Sequence, residues 1–409
     1  MDPPDPAVAS DSNPPATPGG AREKIVRQHG TRNAIWIALA IVVVLVAAGL
    51  GGAYELGLLG NQKSRVAGAC PTGVILSGAG ANFVLPLVSQ WESSYQTEKN
   101  NQVSYNPAGA GTGITDLTQI TVDFAATDDP LNASQASALG AFLTLPITGG
   151  GLAIVYNLPG VNLSLSGAVL AQIYLGTITT WNDPAIAANS TGPLPNSPIV
   201  TVHRSDAAGT TYVLTDFLSK SSAAWSSGPG KGIAVNFPKN PPMVEAEKGN
   251  SALLKYVATT PDTIGYVDLP DTLISGNVQY ASILNPAGKF IHPTLANTAS
   301  AVESVAANAT FPSATGDWST VSLVNAPGSF DYPIVTFAYF FVYQMMEHGY
   351  QPSVEKSQVL LQWLHWVVTT GQSAAGPLYY TALPPALVAI DQQGLATLTY
   401  NGNAIPDCS

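Results

Sequence analysis

The chain has 409 residues, 46% of them hydrophobic and only 10% charged, with a formal net charge of −11 at pH 7. That length can bury a large core without staples, while the scarcity and sign of the charge exclude a nucleic-acid binder. The apolar content is too high for a mostly disordered chain, and the 38 glycines follow no three-residue period, which excludes collagen.

Residues 1–33 begin rich in Pro, Ala, Ser and Asp without hydrophobic period and end in a basic flank of Arg22, Lys24, Arg27 and Arg32. They read as a disordered cytoplasmic tail. The uncharged run 34–53 follows; as a helix at ~1.5 Å per residue it reaches ~30 Å, the thickness of a bilayer core. Basic residues on its N-terminal side place that end inside and the rest of the chain outside, as a single-pass membrane anchor. The other reading is a cleaved signal peptide. The Ala67-Gly68-Ala69 pattern lies far beyond the apolar run, which favours the anchor.

After a linker, 54–70, the pattern becomes alternating strands and helices. Gly73–Leu76 predicts a strand, about Phe83–Tyr95 a helix, Val103–Tyr105 and Val122–Ala126 further strands. Ile154–Tyr156, Ile199–Val202 and Gly265–Val267 are short apolar strands between turn residues, and Ser353–Thr369 has helical spacing. This alternation predicts an α/β fold with mainly parallel sheets. The two cysteines, Cys70 and Cys408, stand at the ends of this outer part. A disulfide, two free thiols, or lipid attachment at Cys70 are the three readings; an extracytoplasmic site permits the first.

Residues 70–409 contain one arginine, Arg204. A guanidinium is a planar donor fork suited to oxyanions, and Asp206 is placed to hold it; an ordinary surface ion pair is the alternative. Four segments put small residues where a strand meets a helix: Gly78 to Phe83, Gly109 to Gly113, Asp123 to Asp128, and His203 to Thr211. Helix N-termini carry unpaired N–H groups and bind anions readily. Asp128 also reads as a helix N-cap. The histidines (His29, His203, His292, His348 and His365) show no metal spacing, and no nucleophile arrangement stands out. An enzyme is not expected, nor a cofactor or metal. Met345, Met346, Trp363 and Trp366 fit helix packing.

In this order the four segments resemble the phosphate-binding proteins of the ATP-driven phosphate importers, the periplasmic-type substrate-binding component. The resemblance runs from about Gly73 to Leu387 and includes Leu165 to Ile178, Trp181-Asn182-Asp183, Gly249-Asn250, Pro261 to Val267 and Asp331 to Ile334. It implies a two-lobed periplasmic-binding-protein fold (type II) with the ligand in the interlobe cleft: 71–151 as lobe 1, 152–328 as lobe 2, and 329–409 returning to lobe 1. The implied phosphate ligands are Asn82, Phe83, Ala110, Asp128, Arg204, Ala208, Gly209 and Thr210, with Asp206 and Thr112 in support. Asp128, an acceptor only, would take a proton from a protonated phosphate and repel sulfate.

The implied partners are inorganic phosphate and an ABC-type permease, with the protein itself a monomer. Three departures stand out: the family presents hydroxyls where this chain has Asn82, Ala110 and Ala208. Weaker binding or a shifted preference is expected from them. A sensor or adhesion ectodomain with a degenerate site, or a binder of another protonatable oxyanion such as arsenate, are the rival readings. The low charge also fits an acidic exterior.

Overall fold

The computed structural model of the chain describes residues 70–238, 243–245, 248–275, 278–406 and 408. The tail, the anchor at 34–53 and the linker up to 69 lie outside the described residues. Among the described residues, no helix is long and apolar enough to cross a membrane.

The first lobe starts with β1 (Ile75–Gly80), β2 (Gln102–Asn106) and β3 (Phe124–Thr127). β1 lies between the other two and parallel to both, so each connection is a crossover. The first crossover is the helix Leu85–Lys99, which buries Leu87, Val88, Trp91 and Tyr95 as one stripe. Pro86 occupies its first turn, where no intrahelical N–H is needed. Asn100, at φ 55°, ends it in the left-handed conformation. The helix Ala110–Thr118 joins β2 to β3.

β4 (Phe142–Tyr156) runs for 15 residues and is buried beyond its first. The chain then forms β5 (Ser164–Leu165), β6 (Val200–His203), β7 (Met243–Glu245), β8 (Thr263–Asp268), β9 (Gln279–Tyr280), β10 (Ser282–Leu284) and β11 (Phe290–Ile291) before returning as β12 (Val335–Tyr343). From Phe142 to Gly151, β4 pairs with β12, which also pairs with β3. From Leu152 to Tyr156 it pairs instead with β8. The order β2-β1-β3-β12-β4 is one lobe and β4-β8-β6-β7 the other, so β4 belongs to both.

The handover falls at Gly149-Gly150-Gly151. A Cβ on Gly150 would stand 2.2 Å from the Phe83 ring, so only glycine lets the loop after β1 seat on the crossing strand.

This corrects two expectations. The sheets are not mainly parallel around the crossing, because the two longest strands, β4 and β12, run antiparallel. And Ile154–Tyr156 is only the end of a strand that begins at Phe142. Pro146 and the glycines read as breakers in sequence. In the sheet, Tyr339 faces Pro146 and Ala338 faces Thr148, leaving Ile147 as a bulge that accommodates the proline.

The C-terminal segment completes lobe 1. Trp363 and Trp366 of the helix Val354–Val368 stack on each other at 5.8 Å and pack edge-on against Tyr95. The Trp91 indole N–H is satisfied by the Gly371 carbonyl at 2.7 Å, as a buried donor requires. Cys70 and Cys408 form a disulfide with their Cα atoms 4.8 Å apart, tying the two ends of the described domain together. A bridge across 338 residues restricts the unfolded chain strongly.

Candidate anion-binding site

The segments singled out in the sequence all lie at the C-terminal ends of strands, where parallel βα units place their helix N-termini. Gly109 precedes the helix Ala110–Thr118, Ala208 precedes Gly209–Ser221, and Gly249 precedes Asn250–Thr259. None of the three helices has a side-chain cap, so their first-turn N–H groups and positive dipole ends are open to an anion. The first comes from one lobe and the other two from the other.

Arg204 is the hub, 5% exposed. Its Nε and Nη2 donate to the two Asp206 oxygens at 2.7 and 2.5 Å, the bidentate fork expected of that pair. Nη1 donates to Asn250 Oδ1 at 2.5 Å and to Thr210 Oγ1 at 3.3 Å. Nη2 also reaches across the cleft to Asn82 Oδ1 at 3.1 Å. Its backbone N–H goes to the Tyr266 hydroxyl at 3.1 Å, which also pairs with Thr211 Oγ1 at 2.7 Å. Burial opposes the charges on both members of the Arg204–Asp206 pair, but their mutual contact outweighs it: the arginine pKa rises and the aspartate's falls.

Asp128, at 2% exposure, faces this hub from the opposite lobe. Its Oδ1 has no hydrogen-bond partner among the described residues. It lies directly against Gly209: a Cβ there would stand 2.0 Å from Oδ1. Burial pushes its carboxyl up to about 7, moderated by the Arg204 charge. Asp268 and Asp271 lie behind Arg204, each accepting from the Asn250 amide, the second at 3.1 Å. Burial raises Asp268 well above the usual range and Asp271 to about 6. Four carboxyls thus surround one guanidinium.

Asn82, Phe83, Ala110, Asp128, Arg204, Gly209 and Thr210 gather at this cleft, with Asp206 beside them. Three expectations are corrected. The Ala208 N–H is taken by the Ile233 carbonyl at 2.9 Å, because the loop after the helix Gly209–Ser221 folds back over it; the open donors there begin at Gly209. Thr112 is exposed while Ala110 and Gly113 are buried, so helical geometry turns its hydroxyl away. The Asn82 amide donates to the Pro107 carbonyl at 2.8 Å and its oxygen receives Arg204, making it a bridge between lobes rather than a simple free donor.

Sequence reasoning did not assign Asn250, Asp268 or Asp271 to the site. Gly249-Asn250 was visible as a motif, and Asp268 ends β8 beside β6, so the strand-end rule was the available signal.

The buried carboxyls give a pH prediction. A raised folded-state pKa means the native protein holds protons that the unfolded chain releases above about pH 4. The stability contributed by Asp128 and Asp271 is therefore present at low pH and lost as pH rises through about 6 to 7. Asp206, with its lowered pKa, opposes this only below the ordinary carboxylate range. The melting temperature is expected to be several degrees higher at pH 5 than at pH 7.5. A melting temperature that stays level or rises from pH 5 to pH 7.5 would contradict it.

The chain is similar to known proteins over most of its length. The PBP superfamily domain profile matches residues 62–370. The phosphate-binding protein PstS of Pasteurella multocida is 35% identical over 317 residues, covering 76% of this chain and 87% of that protein. The PstS of Methanocaldococcus jannaschii is 32% identical over 369 residues, covering 87% and 91%. Among solved structures, the phosphate-binding protein of Stenotrophomonas maltophilia superposes with a TM-score of 0.58 at 20% identity, over 78% of this chain and 92% of that one. A phosphate-bound periplasmic phosphate-binding protein, PfluDING, gives 0.62 at 20% identity over 78% and 93%. These structures share the two-lobed α/β fold; the sequence relatives and the matched domain carry the assignment further, and the chain belongs to the PstS family of phosphate-binding proteins within the PBP superfamily.

Proposed function

We propose that the protein captures inorganic phosphate between its lobes, outside the cell, and delivers it to an ABC-type permease. The observation that carries this reading is an unpartnered buried acceptor, Asp128 Oδ1, set among donors: uncapped helix starts at Ala110 and Gly209 and the Arg204 guanidinium. Such a set fits a tetrahedral oxyanion that still carries a proton. The relatives named as phosphate-binding proteins support the same ligand.

Backbone N–H groups at Phe83, Ala110, Gly209 and Thr210, with the Thr210 hydroxyl, would hold the phosphate oxygens. They stand in for the hydroxyls missing at Asn82, Ala110 and Ala208. Closure needs only better contacts in the closed state than in the open one, as the Arg204–Asn82 bond across the cleft illustrates. The run 34–53 would anchor the protein in the cell membrane with its N-terminus inside, leaving the monomeric binding domain free to meet the permease. No chemical step is involved.

Calorimetric titration of the purified protein tests the reading: phosphate should bind saturably, 1:1, and sulfate far more weakly. Gly209→Ala should keep the fold, because the atom its Cβ meets is the end of a side chain, but displace Asp128. A loss of about tenfold or more in phosphate affinity is expected, the worth of one charge-assisted hydrogen bond. Absence of saturable phosphate binding by the unmodified protein would sink the reading, and arsenate binding more tightly than phosphate would redirect it.

A further inference from the structure

The carboxamide of Asn250 lies between the guanidinium of Arg204 and two buried acids. Guanidinium has donors only, so the oxygen of Asn250 must face Arg204, at 2.5 Å. Its NH₂ group then donates to Asp268 Oδ2 and to Asp271 Oδ2, the latter at 3.1 Å. Both amide hydrogens and the oxygen are used, and Asn250 is buried. Asn250 also opens the helix Asn250–Thr259, whose N-terminus points into the same cleft, and the Gly249 N–H before it touches Asp206 Oδ1 at 3.4 Å.

Asp206 already neutralises Arg204 through both its oxygens. A second carboxylate in direct contact would leave the anion site net negative. A carboxamide in that place keeps the mechanical link to the acids and holds their charge one side chain away.

We propose that Asn250 is the positioning residue of the anion site: it fixes the Arg204 fork and holds Asp268 and Asp271 off it, so that Asp206 is the one carboxylate in contact with the guanidinium and its remaining donors stay turned to the ligand. The inference rests on the phosphate reading above for its ligand. It does not rest on it for the geometry. The charged and titratable groups facing Asn250 are Arg204 in front, Asp206 at its flank and Asp268 and Asp271 behind; Asp128 and the Tyr380 hydroxyl complete the field.

The test uses Asn250→Asp and Asn250→Ala in the full chain, with phosphate affinity measured by calorimetry from pH 5 to pH 8.5 and folding checked by tryptophan fluorescence. N250D places a fifth carboxyl around Arg204, beside Asp128, Asp206, Asp268 and Asp271. It should bind phosphate about a hundredfold more weakly at pH 8, with the deficit shrinking as the new carboxyl is protonated toward pH 5. N250A should lose about tenfold, with a deficit that changes less with pH than that of N250D, because it adds no new carboxyl. N250D within twofold of the unmodified protein at pH 8, or equal pH-independent deficits in both variants, would overturn the insulating role.

Should N250D fail to fold, a crystal structure of N250A decides the positioning role: Arg204 should leave its present orientation, and an unmoved guanidinium refutes the proposal. That structure also separates the two readings. If the unmodified protein binds no phosphate, the proposed function falls while the Arg204 orientation in N250A still judges this inference.

Discussion

Replacing Arg204 with alanine is expected to abolish phosphate binding in calorimetry, a loss of at least about a thousandfold. The residue is the only arginine after position 70 and the only cation in contact with the cleft's acids among the described residues. All five of its N–H groups meet protein oxygens. The two longest of these bonds, to Thr210 and Asn82, are the ones a ligand oxygen can share. Losing two charge-assisted bonds at about 1.5–3 kcal/mol each already removes two to four decades of affinity. The charge matters as much: without Arg204, an anion would enter a cleft holding Asp128, Asp206, Asp268 and Asp271 and no counter-ion.

Arg204→Lys should fall between. It keeps a charge but cannot fork to Asp206 while also reaching Asn82 and Asn250. Phosphate affinity in R204A within tenfold of the unmodified protein would show that the helix N-termini alone hold the ligand. It would also remove Arg204 from the site.

The same residues show what a sequence can and cannot disclose. Arg204 was legible because it is alone: in a segment with 21 acidic groups, one arginine beside an aspartate two positions on demands a reason. Asp128 and Gly209 were legible through motif order, since strand–turn–helix junctions recur at the same end of parallel units. The long strand β4 was not, because Pro146 and three glycines imitate a loop until pairing with β12 leaves Ile147 as a bulge and the loop after β1 supplies Phe83 to fill the missing side chains.

The Ala208 N–H could not be assigned from sequence either. Its acceptor, Ile233, is brought over it only by the fold of the loop beyond a helix. Asn250 meets Arg204 with Asp268 and Asp271 behind it because β8 lies beside β6, a pairing that joins residues tens of positions apart. The disulfide belongs with these: two cysteines at the ends of a domain pair only if the ends meet, and the packing of the helix Val354–Val368 on Leu85–Lys99 brings them together.

Asp128→Asn is expected to erase discrimination between phosphate and sulfate. In the native site Asp128 Oδ1 is an acceptor with no protein donor, buried against Gly209. Ionised, it can pair only with a ligand oxygen that carries a proton; sulfate at neutral pH has none, and two unsatisfied acceptors forced together oppose its binding. Asparagine can turn its NH₂ group toward either ion, so sulfate affinity should rise by about two decades or more while phosphate affinity changes less.

The native protein should show the same loss of discrimination on acidification. Burial pushes the Asp128 carboxyl up to about 7, and a bound anion beside it favours the protonated form still further. Below that pH Asp128 carries its own proton and becomes a donor that sulfate can use. Selectivity is thus fullest well above pH 7 and erodes as pH falls through it, and sulfate binding near neutrality must take up a proton. Titrations of both ions at pH 5, 7 and 9, in buffers of different ionisation enthalpy, measure the affinities and the proton uptake together. Sulfate rejected equally at all three pH values, or still rejected by D128N, would show that cleft shape rather than the Asp128 proton selects the ligand.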